Sequence, residues 1–220
     1  MKKYFDILKK SPIFNGIDSK GLEIMLPCLC AKVKEYDKKE AIFLEGESAN
    51  YIGIVLSGSV QVVQLDYYGN RYIVSEIKEG QLFLEAFACA EIKKAPVSVI
   101  ANEKSEILII DNSKILYTCK NTCSFHQKLI FNLMKNLAKK TIILHEKNDI
   151  ISKRSTREKL MTYLNYVSKR QEKSVFDIPF NREELADYLG VDRSGLSVEI
   201  SRLKKEGMIK NRKNHFEIIK

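Results

Sequence analysis

Residues 181–207 decide the fold and read NREELADYLGVDRSGLSVEISRLKKEG. Asn181 and Glu184 have the spacing of a capping box, which satisfies free backbone amides at the start of a helix. Gly190 follows the apolar residues of this first helix, and glycine tolerates the positive φ at which helices commonly end. Asp192 is a good N-cap for a second helix. The pattern therefore predicts two short helices joined by a tight turn.

The predicted second helix has two different faces. Its apolar residues recur at helical spacing and can hold the helix on a domain core: Leu196, Ile200 and Leu203. Its opposite face is small, polar and basic, and carries Arg193, Ser194, Ser197 and Arg202. This division is typical of a helix-turn-helix, whose second helix enters the major groove of DNA. The alternative is a pair of core-packing helices that bind no ligand.

Two short apolar runs follow, at 208–210 and 215–219, on either side of a polar and basic tip. Such runs predict a β-hairpin. A hairpin beside a helix-turn-helix makes a winged helix, and the tip residues Arg212, Lys213 and Asn214 would then lie near phosphates.

Composition limits the class of protein. The chain has 220 residues, which is enough for two domains with separate cores. The net charge is +9, and residues 152–220 hold 16 Lys and Arg against 10 Asp and Glu, so most of the basic excess lies with the helix-turn-helix. No apolar run is long enough to span a membrane, and the N-terminus does not resemble a secretion signal. We therefore expect a cytoplasmic protein without a membrane partner.

The five cysteines have irregular spacings and no secretory context: Cys28, Cys30, Cys89, Cys119 and Cys123. Reduced thiols are the default in such a chain. The pairs Cys28/Cys30 and Cys119/Cys123 allow a metal or iron–sulfur site as an alternative. The sequence has no C-x-x-C pair and no histidine cluster to support it. Buried, inert thiols are the favoured interpretation.

The first 30 residues contain short helical patterns, and short strands separated by turns follow up to about residue 110. Such closely spaced strands indicate an antiparallel sandwich or barrel. The predicted strands are 33–36, 41–44, 52–56, 60–65, 72–77, 97–100 and 107–110.

A long helix without Pro or Gly is predicted over 124–152. Four residues seven apart suggest a coiled-coil seam in a parallel homodimer: Ile130, Leu137, Leu144 and Ile151. Lys140 and Lys147 fall near this seam and weaken the pattern. The alternative is a single helix packed along its own domain. Another helix, 156–169, would begin the DNA-binding part after a hinge at 152–155.

The whole order resembles the catabolite-activator and fumarate-nitrate-regulator (CRP/FNR) family of transcription regulators. Four segments outside the helix-turn-helix are similar to family motifs: FNGID at 14–18, EGE at 45–47, IVLSGSV at 54–60 and GQLFLE at 80–85. The resemblance implies an α+β fold with a double-stranded β-roll of the cyclic-nucleotide-binding jelly-roll type (1–123), a dimerisation helix (124–152) and a winged helix-turn-helix (153–220). It also implies a homodimer that binds a palindromic operator, RNA polymerase as a further partner, and no enzymatic activity.

The chain departs from the family where cyclic-nucleotide-binding members hold the phosphate. Leu84 stands in place of a glycine, and Ala95 and Pro96 stand in place of an arginine and a hydroxyl residue, whereas Glu85 is retained. A buried phosphate without its cation costs several kcal/mol, so cyclic AMP is not the expected effector.

Without phosphate-binding residues, the pocket for the unknown small effector is expected to be apolar. It would either hold an apolar or planar ligand or be filled by the chain's own side chains. Its residues would be Phe83, Leu84, Glu85, Phe87, Val97, Ile142 and Ile143.

No cofactor is expected. Cys28 and Cys30 do not have the spacing of the family's iron–sulfur branch. Haem is an alternative, with the cysteines, His126 or His145 as nominal axial ligands. A solvated ring is nevertheless the favoured interpretation for each histidine.

The family pattern on the recognition helix carries over to Arg193, Ser194 and Val198. Arg193 keeps the donor geometry suited to guanine, whereas Ser194 is not expected to replace the family's glutamate as an acceptor toward cytosine. Val198 offers only an apolar contact to a thymine methyl, so we expect an operator richer in A·T pairs. Four residues match family positions that contact the DNA backbone and set position without specifying sequence: Asn181, Arg182, Gly195 and Arg212. Ser197, Arg202 and Lys213 are further expected DNA-binding residues.

Two other classes of function are alternatives. A cupin-like enzyme needs metal-binding His and Glu on facing strands, but His126, His145 and His215 lie outside the predicted β-roll. A scaffold whose winged helix binds protein would lack the salt-dependent retention on DNA that phosphate contacts produce.

Overall fold

The computed structural model describes residues 1–69, 71–116 and 124–219. The chain forms two compact units, Met1–Ala138 and Lys139–Lys220. The division falls inside one long helix, α5 (Ser124–Ser152), whose bounds are those predicted from the sequence. The domain boundaries expected at the two ends of this helix, after 123 and after 152, stay a prediction.

The first unit begins with short helices and continues as strands. Its helices are α1 (Phe5–Lys10), α2 (Ser19–Cys28), α3 (Glu85–Cys89) and α4 (Asn112–Leu116), with 3-10 turns at Lys2–Tyr4 and Pro12–Phe14. Its strands are β1 (Lys32–Tyr36), β2 (Ala41–Phe43), β3 (Tyr51–Ser57), β4 (Ser59–Leu65), β5 (Arg71–Lys78), β6 (Leu82–Phe83), β7 (Ser98–Ala101) and β8 (Ser105–Asp111). All seven predicted strands are confirmed to within a few residues, and β6 was not predicted.

These strands form two antiparallel sheets of four strands each, in the orders β1-β8-β3-β6 and β2-β7-β4-β5. Buried residues of both sheets belong to one apolar core, among them Ile52 and Ile107 from the first sheet and Phe43 and Val99 from the second. Two sheets around one core confirm the predicted β-roll.

The second unit contains the C-terminal part of α5, then α6 (Thr156–Gln171), α7 (Arg182–Leu189) and α8 (Arg193–Lys205). A three-stranded antiparallel sheet, in the order β10-β11-β9, completes it. Its strands are β9 (Val175–Asp177), β10 (Ile209–Arg212) and β11 (His215–Ile218). The predicted hairpin is therefore confirmed, and β9 adds a third strand that the sequence analysis missed.

The helix ends are built as the sequence predicted. Asn181 accepts from the amides of Glu183 and Glu184, and the Glu184 carboxylate accepts from the Asn181 amide, which completes the capping box. Gly190 ends α7 at φ 60°. Asp192 caps α8 by accepting from the Gly195 amide at 2.8 Å. The winged helix-turn-helix is confirmed.

No helix in the described part of the chain has the length and apolar character needed to cross a membrane.

Candidate nucleic-acid interface

The apolar residues of α8 are buried in the core of the second unit and fix the helix there: Leu196, Ile200 and Leu203. All the residues of α8 that were expected to meet DNA are exposed: Arg193, Ser194, Gly195, Ser197, Val198 and Arg202. The structure therefore presents the predicted polar face of α8 to solvent as one surface.

This exposed surface continues beyond the predicted residues. Ser201 and Lys205 are exposed and lie seven and eleven residues after Ser194, on the same side of α8. The sequence analysis did not name Ser201 or Lys205 among the residues of the polar face. Their helical spacing from Ser194 was the signal that could have identified them.

An ion-pair network lies beside the C-terminal half of α8. Arg157 of α6 pairs with Glu206, and it lies 3.8 Å from the Glu199 carboxylate. The guanidinium of Arg157 holds the pKa of Glu206 below its usual range. Arg202 lies 3.6 Å from the other oxygen of Glu199, so part of its charge is balanced within the protein.

The wing tip and the start of α7 line one cavity of about 460 Å³. Lys213, at φ 54°, and Asn214 form the turn between β10 and β11, and both line this cavity with Arg182. Arg182 is half-buried and donates to the Asn211 side chain at 3.1 Å, and burial lowers its pKa. Arg212 is exposed on the same hairpin. Three cations that were expected to contact DNA, Arg182, Arg212 and Lys213, therefore lie at this edge of the second unit.

The C-terminal part of α5 is fastened to the helix-turn-helix. Lys147 donates to the Tyr188 carbonyl and lies 3.7 Å from the centre of the Tyr188 ring. Burial, followed by the nearby charge of Lys159, lowers the pKa of Lys147. Ile150 is buried in the core of the second unit. The ammonium of Lys147 is therefore used inside its own unit, and its place near a dimer seam stays a prediction.

Two further polar contacts hold the same stretch of helix. The Tyr166 hydroxyl donates to Asp149 at 2.9 Å, and Arg170 pairs with Glu146. These contacts reach α6 from the last turns of α5. The hinge expected at 152–155 therefore lies between two helices that already pack together.

The four predicted seam residues have different surroundings. Ile130 is half-buried, and Leu137 packs against the core of the first unit. Leu144 and Ile151 remain 60% and 44% exposed. The alternative of a helix packed on its own domain thus applies to Leu137, while Leu144 and Ile151 stay open to a second chain.

The residues predicted to line an effector pocket are mostly part of the core. Phe83, Leu84 and Val97 are buried, and Phe87 packs against them. The Phe83 ring covers Gly53 so closely that a Cβ added there would lie 2.1 Å from it. The chain's own side chains fill this space, while Ile142 and Ile143 are exposed on α5.

The segment that resembles the phosphate cassette lacks polar side chains at Leu84, Ala95 and Pro96. Leu84 has φ 63°, a left-handed conformation normal for glycine, and Glu85 is buried. Ala95 is buried, and its amide and carbonyl pair with the turn at Glu47 and Gly46. Neither Ala95 nor Pro96 has a side chain able to donate to a phosphate.

The described cysteines differ in exposure from what the sequence predicted. Cys28 and Cys30 are exposed, so the prediction of buried thiols is wrong for both. Cys89 is half-buried, and burial raises its pKa. Cys119 and Cys123 lie outside the described residues.

His126 is buried rather than solvated, and its Nε2 donates to the Ile115 carbonyl at 2.9 Å. His145 is exposed as expected, and the exposed His215 pairs with Asp177 at 2.9 Å. Within 1–69, 71–116 and 124–219, no three His, Cys, Asp or Glu side chains gather in a way that could hold a metal ion.

A β-roll combined with a winged helix-turn-helix that exposes a polar, basic recognition helix defines a DNA-binding regulator with a sensor domain. Residues 33–122 match the cyclic nucleotide-binding domain family, and residues 158–220 match the Crp-like helix-turn-helix domain family. The chain belongs to the CRP/FNR family of transcription regulators and is not an enzyme.

Similar proteins agree with this class. The cyclic AMP receptor protein of Thermus thermophilus is 22% identical over 203 residues, which cover 92% of this chain and 90% of that protein. The transcriptional activator FnrL of Cereibacter sphaeroides is 32% identical over 69 residues, covering 27% of this chain and 28% of that protein. The crystal structure of DNR from Pseudomonas aeruginosa matches with a TM-score of 0.53 at 19% identity, covering 100% of this chain and 95% of that one.

Proposed function

We propose that this chain is a homodimeric transcription regulator that places two copies of α8 in successive major grooves of a palindromic operator. The observation that carries the proposal is the division of α8, whose apolar residues are buried while Arg193 and its polar neighbours are exposed. Two copies related by a twofold axis would contact half-sites about 34 Å apart.

The dimer contact is proposed to lie along α5. Large apolar side chains are exposed on this helix at Phe131, Met134, Leu144 and Ile151. Exposed apolar residues on one long helix are unfavourable in water, and a second copy of the helix would cover them.

We further propose that the β-roll responds to a signal other than cyclic AMP, although the Thermus relative is named for that nucleotide. Leu84 and Ala95 are buried and apolar at the positions that the resemblance gives to phosphate contacts. Removing a phosphate from water there without a cation costs several kcal/mol. The exposed Cys28 and Cys30 favour redox control as a second candidate, because only accessible thiols react readily.

Selection of bound duplexes from a random library by the full-length protein tests the proposed function. The expected result is a twofold-symmetric sequence with half-sites about one helical turn apart. Recovery of an asymmetric single half-site, or of no enriched sequence, would overturn it. Isothermal titration with cyclic AMP should show no binding, and mass spectrometry of anaerobically purified protein would detect any bound small molecule or cluster.

A further inference from the structure

One exposed line along α8 carries four side chains, Ser194, Val198, Ser201 and Lys205. Spacings of four, three and four residues place them on one helical face, opposite the buried Leu196 side. Ser194 and Ser201 are about 10 Å apart along the helix at about 1.5 Å per residue, which spans about three base pairs. The reading surface of α8 is therefore longer than the family pattern suggests.

The hydroxyl groups of Ser197 and Ser201 already donate hydrogen bonds within α8. Ser201 Oγ lies 2.9 Å from the Ser197 carbonyl, and Ser197 Oγ lies 3.0 Å from the Arg193 carbonyl. Because a carbonyl oxygen can only accept, each serine must be the donor. What remains on each exposed Oγ is a pair of acceptor sites.

Ser194 also donates its hydroxyl proton in a hydrogen bond, but to a side chain. Its hydroxyl donates to the Asp192 carboxylate. This hydrogen bond, and then the one from the Gly195 amide, lower the pKa of Asp192. The carboxylate is thus ionised at neutral pH and cannot donate in return, so Ser194 too presents an acceptor to solvent.

The base edges in the major groove carry few donors. Adenine N6 and cytosine N4 donate, whereas guanine O6 and N7, thymine O4 and adenine N7 only accept. A serine that has already donated its proton can therefore bond only to an amino group. Val198 lies between the two serines, and an adjacent thymine methyl is the apolar contact that an A·T pair offers.

We propose that Ser194 and Ser201 accept hydrogen bonds from adenine amino groups of the operator, with Val198 against the thymine methyls between them. Ser201 is then a specificity-determining residue outside the family pattern. Ser194 regains an acceptor role, contrary to the expectation from sequence. The inference rests on the proposed function, since it requires α8 to lie in the major groove.

Base analogues test this inference on the full-length protein. The duplex recovered by selection is synthesised with single adenines replaced by purine, which lacks the amino group, or by 7-deazaadenine, which keeps it but lacks N7. Fluorescence anisotropy should show binding weakened about 3- to 10-fold by purine at the contacted adenines, the loss of one hydrogen bond. The 7-deaza replacement should change binding less than about twofold.

Variants assign the effect to a residue. In Ser201→Ala the purine penalty should disappear at one adenine, and in Ser194→Ala at another. Ser152→Ala is the matched control, because Ser152 is an exposed helical serine that also donates to a backbone carbonyl, that of Asp149 at 2.9 Å, but lies outside α8. It should keep the wild-type response to both analogues.

Two results would overturn the inference while leaving the proposed function intact. One is a penalty for 7-deazaadenine with none for purine, which would show the serines donating to N7. The other is a purine penalty that persists in both Ser194→Ala and Ser201→Ala. If selection yields no preferred duplex, the proposed function itself fails before the analogues are used.

Discussion

Gly190 and Gly195 show how two glycines of one motif serve different purposes. Gly190 ends α7 at φ 60°, and nothing lies within 4 Å of the Cβ that alanine would add. Gly195 has a helical backbone, and an added Cβ would only touch Asp192 Oδ2 at 3.7 Å. One glycine is thus needed for the backbone, while the other leaves space on the exposed face of α8.

We expect Gly190→Ala to lower the free energy of unfolding by about 1 to 2 kcal/mol, because the left-handed backbone strains a Cβ. Gly195→Ala should instead stabilise α8 by up to about 1 kcal/mol, the difference in helix propensity. Its affinity for DNA should nevertheless fall, because the new methyl group keeps α8 away from the phosphates. Urea unfolding and anisotropy titrations of both variants measure the two effects, and equal changes in stability would contradict this assignment.

We expect Arg193 to be the residue that contributes most directly to sequence preference. Arg193→Ala should weaken binding to the selected operator by about 1 to 3 kcal/mol, because a guanidinium can donate two hydrogen bonds to guanine. Binding to random DNA should change much less. Mobility-shift titrations on both duplexes measure the difference, and an equal loss on the two would show that Arg193 contacts only phosphate.

The residues that sequence analysis placed correctly are those governed by their near neighbours along the chain. The caps at Asn181, Asp192 and Gly190 follow from local backbone geometry alone. His126 was misplaced because its surroundings come from another segment of the chain, where the Ile115 carbonyl accepts from its ring. Burial of a single polar side chain depends on such distant partners, which periodicity does not reveal.

The two ends of α5 face different environments, although the helix has one continuous apolar pattern. Leu129 and Leu133 are buried in the core of the first unit, and Ile150 in that of the second. Between them, Leu144 is exposed. Seven-residue spacing alone cannot separate a side chain in the helix's own unit from one left for a partner.

A pair of substitutions in α5 separates these roles. Ile150→Ala should lower the free energy of unfolding by about 2 to 5 kcal/mol, because it leaves a cavity in the second core. Leu144→Ala should hardly change the stability of the monomer but should weaken the proposed dimer. Calorimetry and sedimentation velocity of both variants give the two readouts. A Leu144→Ala protein that stays fully dimeric at low concentration would argue against this part of α5 as the interface.

At the same scale, long or strongly alternating elements were predicted well, and the elements that were missed are short. The bounds of α5 and seven strands of the first unit were found, among them the three-residue β2, whereas β6 and β9, of two and three residues, were missed. Strands this short carry no alternation, and only pairing defines them: β6 with β3, and β9 with β11. Their existence is a property of the assembled sheets.

For the whole molecule, the proposed dimer would set the geometry of binding. Sedimentation equilibrium should give twice the 25.3 kDa of one chain. Inserting five base pairs between the half-sites of the selected operator should reduce the affinity to that for a single half-site, because half a helical turn puts the second half-site on the opposite face. Inserting ten should restore most of it. Unchanged affinity across the series would mean that the two copies of α8 do not bind together.

The positive charge of the protein predicts that DNA binding depends on salt concentration. Each phosphate neutralised by a cation releases counterions, so the slope of log K against log salt concentration becomes steeper by about 0.9 for every contact. Lys213 lies on the exposed wing tip beside the cavity at the start of α7, and a dimer holds two copies of it. Lys213→Ala should therefore make the slope shallower by about 1.8 while leaving the preference for operator over random DNA unchanged, because phosphate contacts carry no sequence information. Lys38→Ala is the control, since Lys38 is equally exposed but lies in the first unit, between β1 and β2. An unchanged slope for Lys213→Ala would show that the wing does not contact DNA. The same change of slope in both variants would show only an effect of net charge.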